Sequence, residues 1–162
     1  MTIPPHGSGR PGPRVSARPE RPAVPCPRLA VLVRLDHYIL LRDRTCHLCC
    51  ARRTTVPYSR IDEIEQTFGR IERALADVPR SRYALLVDTR QSPGRNDPSF
   101  EATVALYRGK LLFGFARNAA LVATAAGRLQ VQRYARADGR TVFATDSPED
   151  AFAYLGLPFH LL

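Results

Sequence analysis

No apolar run in these 162 residues approaches the roughly 20 that a membrane-crossing helix needs. The longest are Leu29–Val33 and Ala119–Ala123. The opening residues hold no apolar core of the secretory type, so no signal peptide is expected there. Prolines interrupt the early arginines too often for an amphipathic helix, so no transit peptide is expected either. Histidine is absent between His47 and His160, which strips the central loops of the commonest general base. Neither a Gly-x-Ser-x-Gly turn, a P-loop nor a Gly-x-Gly-x-x-Gly turn is present. Lys110 is the only lysine, so the net charge of +9 is carried by arginine. A biased codon pool accounts for that as readily as a demand for bidentate phosphate contacts. What remains, 44% hydrophobic and 24% charged, is the composition of one soluble globular domain, expected in the cytoplasm.

Proline draws the boundary of that domain. Eight of the fourteen prolines lie in residues 1–28, together with five arginines and one glutamate. Such a stretch has few backbone donors and little apolar surface to offset ordering, and it reads as a disordered basic arm. The domain is expected over residues 29–157, with a short tail at 158–162. Two apolar runs, Leu29–Leu35 and Tyr38–Leu41, read as a hairpin, and a third strand is expected at Cys46–Ala51. Ile61, Ile64, Phe68, Ile71, Leu75 and Val78 then fall at steps of three and four, one stripe of a helix. Ser59 is its expected N-cap, Asp62 its capping-box partner and Pro79 its stop. Tyr83–Val87 and Ala119–Thr124 lack alternation, as strands covered on both faces do. Asp97-Pro98 opens a helix whose inward stripe is Phe100, Val104, Tyr107 and Leu111. Further elements are expected as a helix at 126–137, a strand at Thr141–Thr145 and a helix capped by Ser147 and running to Leu155. The fold class that follows is α/β: a mixed sheet beginning with an antiparallel hairpin, its later strands parallel, with helices packed on it.

Three segments are chemically suggestive. Cys46-His47-Leu48-Cys49-Cys50 has the Cys-x-x-Cys spacing of a zinc or redox site. On a strand, however, Cys46 and Cys49 point to opposite faces, and no second ligand pair exists to complete four. Half-buried reduced thiols are the favoured reading, with no metal and no cofactor expected. Asp88 ends a central strand at its carboxyl edge, where it reads as a turn former in preference to a catalytic carboxylate. The loop from Asp88 through Thr89, Arg90, Arg95 and Asn96 to Asp97 and Ser99 joins that edge to a helix N-terminus. Ligands tend to bind at this place in open α/β sheets, and unpaired N–H groups there favour an anion. Ser99 falls at the second helical position, where a phosphate is tolerated.

The order of elements, with Tyr83-Ala-Leu-Leu-Val-Asp-Thr-Arg, Gly94-Arg-Asn-Asp-Pro-Ser-Phe-Glu101, the segment Gly127–Gly139 and the closing Asp146–Leu155, resembles the STAS domain. The resemblance is nearest to the SpoIIAA-like variant, itself likened to the CRAL-TRIO lipid-transfer fold, and covers roughly residues 35–156. It implies a non-catalytic regulatory module, akin to anti-sigma-factor antagonists, that binds a protein partner. The family's phosphorylated Asp-Ser-Ser-Gly motif meets Asp97-Pro98-Ser99-Phe100, which makes Ser99 the candidate phosphoacceptor; Pro98 and Phe100 depart from the motif. The lipid-transfer likeness implies instead a small anionic or lipid ligand in an apolar pocket, with Phe113-Gly114-Phe115 and Leu157–Leu162 as candidate lining. Weak nucleic-acid attachment through the basic arm is the least favoured reading, because the folded part shows no basic stripe interleaved with aromatics.

Overall fold

The computed structural model describes residues 29–95 and 97–159; the expected arm at 1–28, Asn96 and the last three residues of the tail lie outside the described residues. Six strands form one mixed sheet in chain order: β1 (Ala30–Arg34), β2 (Tyr38–Asp43), β3 (Leu48–Arg53), β4 (Ala84–Asp88), β5 (Arg117–Leu121) and β6 (Phe143–Thr145). β1, β2 and β3 pair antiparallel, and β3 through β6 pair parallel. The helices are α1 (Asp62–Ala74), α2 (Pro98–Leu112), α3 (Ala125–Ala137) and α4 (Pro148–Leu155). The expected α/β class, with its antiparallel start and parallel continuation, is therefore the observed one.

Because spatial order equals chain order, crossovers of one hand carry α1, α2 and α3 to the same face of the sheet. On that face Leu40, Cys49, Ala51 and Leu85 pack against Ile64, Phe68, Ile71 and Leu75. The opposite face is covered by α4, whose Ala151, Phe152 and Leu155 pack on Leu48, Cys50, Leu86 and Leu121. Strand pleating divides the residues accordingly: Val87 and Ala120 look toward α2 and α3, Leu86 and Ala119 toward α4.

Several boundaries differ from the expected ones. The third strand begins at Leu48 rather than Cys46, because Asp43 Oδ1 accepts hydrogen bonds from the N–H groups of Thr45 and Cys46 and folds them into a turn. His47 completes that turn at φ 53°, outside the strand region. Cys49 and Cys50 are free and buried, whereas Cys46 is disulfide-bonded and not the reduced thiol expected. Ser59 does not cap α1. Its N-cap is Ile61, which makes no side-chain cap bond, and the Glu63 carboxylate instead fastens the preceding turn, accepting from the N–H groups of Ser59 (2.8 Å) and Arg60 (3.2 Å). The α1 stripe outlasts the helix: Leu75 and Val78 stay buried in a turn closed by the Val78 N–H on the Leu75 carbonyl. β5 runs from Arg117 to Leu121, shorter at its end than expected, since Thr124 is taken up as the N-cap of α3. β6 begins at Phe143, two residues after the expected Thr141. Asp97 caps α2 with Pro98 at the first position, as the sequence indicates, its Oδ1 accepting from the Phe100 N–H at 3.0 Å.

Candidate functional site

The α2 stripe does not seal onto the sheet. Phe100, Val104 and Tyr107 are only half-buried, and Leu111 and Leu112 alone reach full burial. Between these side chains, the inner side of α3 and the sheet floor of Val87, Ala120 and Val122 lies a cavity of about 550 Å³. That is within the range of roughly 300–1,000 Å³ that small-molecule sites occupy. It lies at the carboxyl ends of β3, β4 and β5, with the loop Thr89–Arg95 along its mouth.

Polar bonds tie the two roofing helices to each other. Glu101 Oε1 accepts from the Tyr134 hydroxyl at 2.7 Å and from Gln130 Nε2 at 3.3 Å. Arg108 donates twice to Asp138, Nε at 2.7 Å and Nη2 at 2.9 Å, with its guanidinium 4.2 Å over the Tyr134 ring. These bonds hold α2 and α3 together along the roof without filling the space beneath it.

Four arginines line the cavity: Arg53, Arg90, Arg95 and Arg108. Arg90 is paired with Asp88, Arg95 with Asp97, and Arg108 with Asp138. Arg53 is the most buried of them, 4% exposed, and no carboxylate among the described residues pairs with it. Its Nη1 donates to the His37 carbonyl at 2.7 Å and more weakly to that of Thr54. Its guanidinium lies 5.5 Å from the Tyr38 ring centre and 4.6 Å from that of Tyr58. Cation–π contacts of this kind return about 0.5–2 kcal/mol each, against a desolvation penalty of several kcal/mol for a buried ion. Burial pushes the Tyr38 and Tyr58 hydroxyls up, an effect that the charge of Arg53 opposes without cancelling, so both stay neutral near pH 7. The nearby Glu63 is engaged elsewhere: the Ser59 and Arg60 N–H groups hold its carboxyl below the usual range, and it faces His37 Nε2 at 3.6 Å.

Asp88 is buried on the α4 side of the sheet, beside Arg52, with which it is in register. Its carboxylate accepts from the Arg90 guanidinium at 2.8 and 2.9 Å and lies 3.7 Å from Arg52. Burial pushes the Asp88 carboxyl up, but the hydrogen bonds and charges of Arg90 and Arg52 together hold it below the usual range. Thr89 donates through both N–H and Oγ1 to the Leu121 carbonyl, continuing the strand pairing. Arg95 binds Asp97 and donates from Nη1 to the Tyr58 carbonyl at 2.9 Å, fastening the loop to the cavity wall. The Arg95 hydrogen bond and the Phe100 N–H hold the Asp97 carboxyl low. Ser99 is exposed on the first turn of α2, and Asn96 lies outside the described residues. Thr89, Arg90 and Arg95 thus share the cavity mouth, Asp88 faces the other side of the sheet, and Ser99 faces solvent.

The expected pocket lining lies elsewhere. Phe113 is 63% exposed, Phe115 is buried in the α1 side of the core, and Phe159 sits edge-on to Phe152 beside α4. The residues that do line the cavity and that the sequence reading missed are Arg53, Tyr38, Tyr58, Glu101, Arg108 and Tyr134. Arg53 carried a usable signal. It continues the Cys49–Ala51 register at a period of two, which puts a charge on an inward face. Among the described residues, no group of three His, Cys, Asp or Glu is arranged to hold a metal ion, and no helix is long and apolar enough to cross a membrane. Comparison with protein-family models, with curated proteins and with solved structures finds no match to this chain.

Proposed function

We propose that this chain is a non-catalytic binding module of the STAS-like or lipid-transfer-like kind, whose cavity between the sheet and α2–α3 takes up a small, largely apolar ligand. The observation that carries the reading is the cavity itself, about 550 Å³ with an apolar floor and a polar rim. The carboxylates nearest the cavity, Glu101, Asp97 and Asp138, are committed to hydrogen bonds within the chain. That supports binding over acid–base chemistry. Native mass spectrometry of the purified chain tests it. A retained small-molecule mass, lost on organic extraction with a fall in Tm, is the expected result. A clean apo mass together with no thermal response to any amphiphile would reject it.

A second reading, capture of a protein partner by the mouth segment, is favoured by the exposure of Gln91, Ser92 and Ser99 beside the cavity entrance. In this form Ser99 is the phosphoacceptor, and ligand occupancy is communicated through Arg95, which joins the loop to Tyr58. Deleting residues 91–94 should abolish partner capture in a pull-down while far-ultraviolet circular dichroism stays unchanged. Undiminished capture would reject this face.

A further inference from the structure

Resting on the ligand-binding reading above, we propose that the cavity's ligand is a monoanionic amphiphile, an aliphatic or aromatic carboxylic acid, whose carboxylate pairs with Arg53 while its apolar body lies along Val87, Ala120, Val122 and Val104.

Charge accounting within the cavity leads to this class. Of the four arginines on its wall, three are neutralised by Asp88, Asp97 and Asp138. Arg53, the most buried of the four, is the exception among the described residues. A buried cation without a counter-charge is a standing penalty unless something occupies the place of the missing anion. Backbone carbonyls of His37 and Thr54 engage Nη1 only. The Nε–Nη2 edge makes no hydrogen bond among the described residues, and that edge matches the two oxygens of a planar carboxylate. Tyr38 and Tyr58 flank the guanidinium and fix its plane, so the edge is held ready before a ligand arrives.

The same geometry selects against rival head groups. A cationic head would sit against an unpaired guanidinium. A neutral alcohol would leave the charge uncompensated. A phosphate monoester brings up to two negative charges to a single free cation in an apolar setting, leaving one uncompensated. The floor is apolar, formed by Val87 of β4, Ala120 of β5 and Val122 just beyond the end of β5, and it suits a hydrocarbon or ring.

Isothermal titration of the full chain with four probes of one chain length tests the assignment: octanoate, octan-1-ol, octyl phosphate and octyltrimethylammonium. Octanoate is expected to bind at least tenfold more tightly than octan-1-ol, with octyl phosphate weaker than octanoate and the cation weakest. In Arg53→Gln, octanoate should fall to within about twofold of octan-1-ol, while octan-1-ol itself is unchanged. The probe comparison needs only the unmodified chain, so it decides the matter even if Arg53→Gln does not fold. Equal binding of octanoate and octan-1-ol would overturn the Arg53 assignment and leave the cavity reading standing. Tighter binding of octyl phosphate would overturn the carboxylate class. Binding of none of the four would overturn the ligand-binding reading, and this proposal with it.

Discussion

Two adjacent alanines on β5 provide a test of the cavity that needs no ligand. Ala120 is 4% exposed and forms part of the cavity floor, while Ala119 is fully buried on the opposite face among Leu86, Phe152 and Leu155. Replacing either by leucine adds three carbon atoms, about 2.4 kcal/mol of burial at ~0.8 kcal/mol per carbon. At Ala120 the added atoms enter open space. Subtracting about 0.5–1 kcal/mol for the ordering of the leucine side chain leaves a gain of about 1–2 kcal/mol. At Ala119 they enter a filled core, where overpacking costs about 1–3 kcal/mol. For a chain of this size each kcal/mol moves Tm by about 2–4 °C. Ala120→Leu should therefore raise Tm by about 2–8 °C and Ala119→Leu should lower it by about 2–12 °C, both read by circular dichroism at 222 nm. The opposite signs are the point, since propensity and composition change identically in the two variants. If Ala120→Leu destabilises as much as Ala119→Leu, α2 and α3 sit directly on the sheet and the cavity does not exist.

Further outcomes follow from the ion pairs and thiols. Asp88→Asn should cost about 2 kcal/mol at pH 7, below the roughly 3–5 of a fully buried pair because Arg52 and Arg90 keep about a third of their side-chain surface in water. The Asp88 carboxyl is held low in the folded chain, so its contribution is complete above the unfolded value of about 3.9 and is lost as pH falls through the folded one. The Tm gap between wild type and Asp88→Asn should therefore narrow below about pH 4, and a constant gap from pH 7 to 3 would contradict a charge-based role. Asp138→Ala removes both Arg108 hydrogen bonds and should cost about 1–2 kcal/mol, with faster amide exchange at the carboxyl end of α3; unchanged exchange would show that the bonds do not hold the roof. Burial pushes the Cys49 and Cys50 thiols up to about 11 and about 12, so both should resist Ellman's reagent in the native chain and react on unfolding. Rapid native labelling would contradict their burial.

Much of the scaffold is readable from sequence because its signals are local. The unalternating Tyr83–Val87 run marks a strand covered on both faces, and β4 does send Leu85 into the core on the α1 side and Leu86 into the core on the α4 side. Asp97-Pro98 marks a helix start through one side-chain bond and one fixed φ. The chain misleads where a tertiary choice overrides a local one. Ser59 has the residue type for a cap, yet the helix starts two residues later, at an Ile61 N-cap, and the Ser59 N–H is bound by Glu63 in the turn before it. The strand pattern at Cys46–Ala51 is broken by a turn that Asp43 imposes from outside the run. The cavity is the least legible feature. Phe100, Val104 and Tyr107 give the same helical stripe whether they meet a sheet or an open space, because periodicity reports which side faces inward and not how close the next layer comes. The loop, with its helix start and its arginines, lies at the mouth of that space, but the arginine without a carboxylate partner among the described residues is Arg53, at the end of β3.

The function proposed for the cavity requires an apolar ligand body to enter between the sheet and the α2–α3 roof. Nuclear Overhauser measurements from octanoate to a chain selectively labelled at valine and leucine methyls address this most directly. Contacts to Val87, Val104 and Val122 are predicted, with none to the exposed Val31, Leu106 or Leu129. Contacts confined to those exposed methyls would place the ligand on the outer surface and contradict the account.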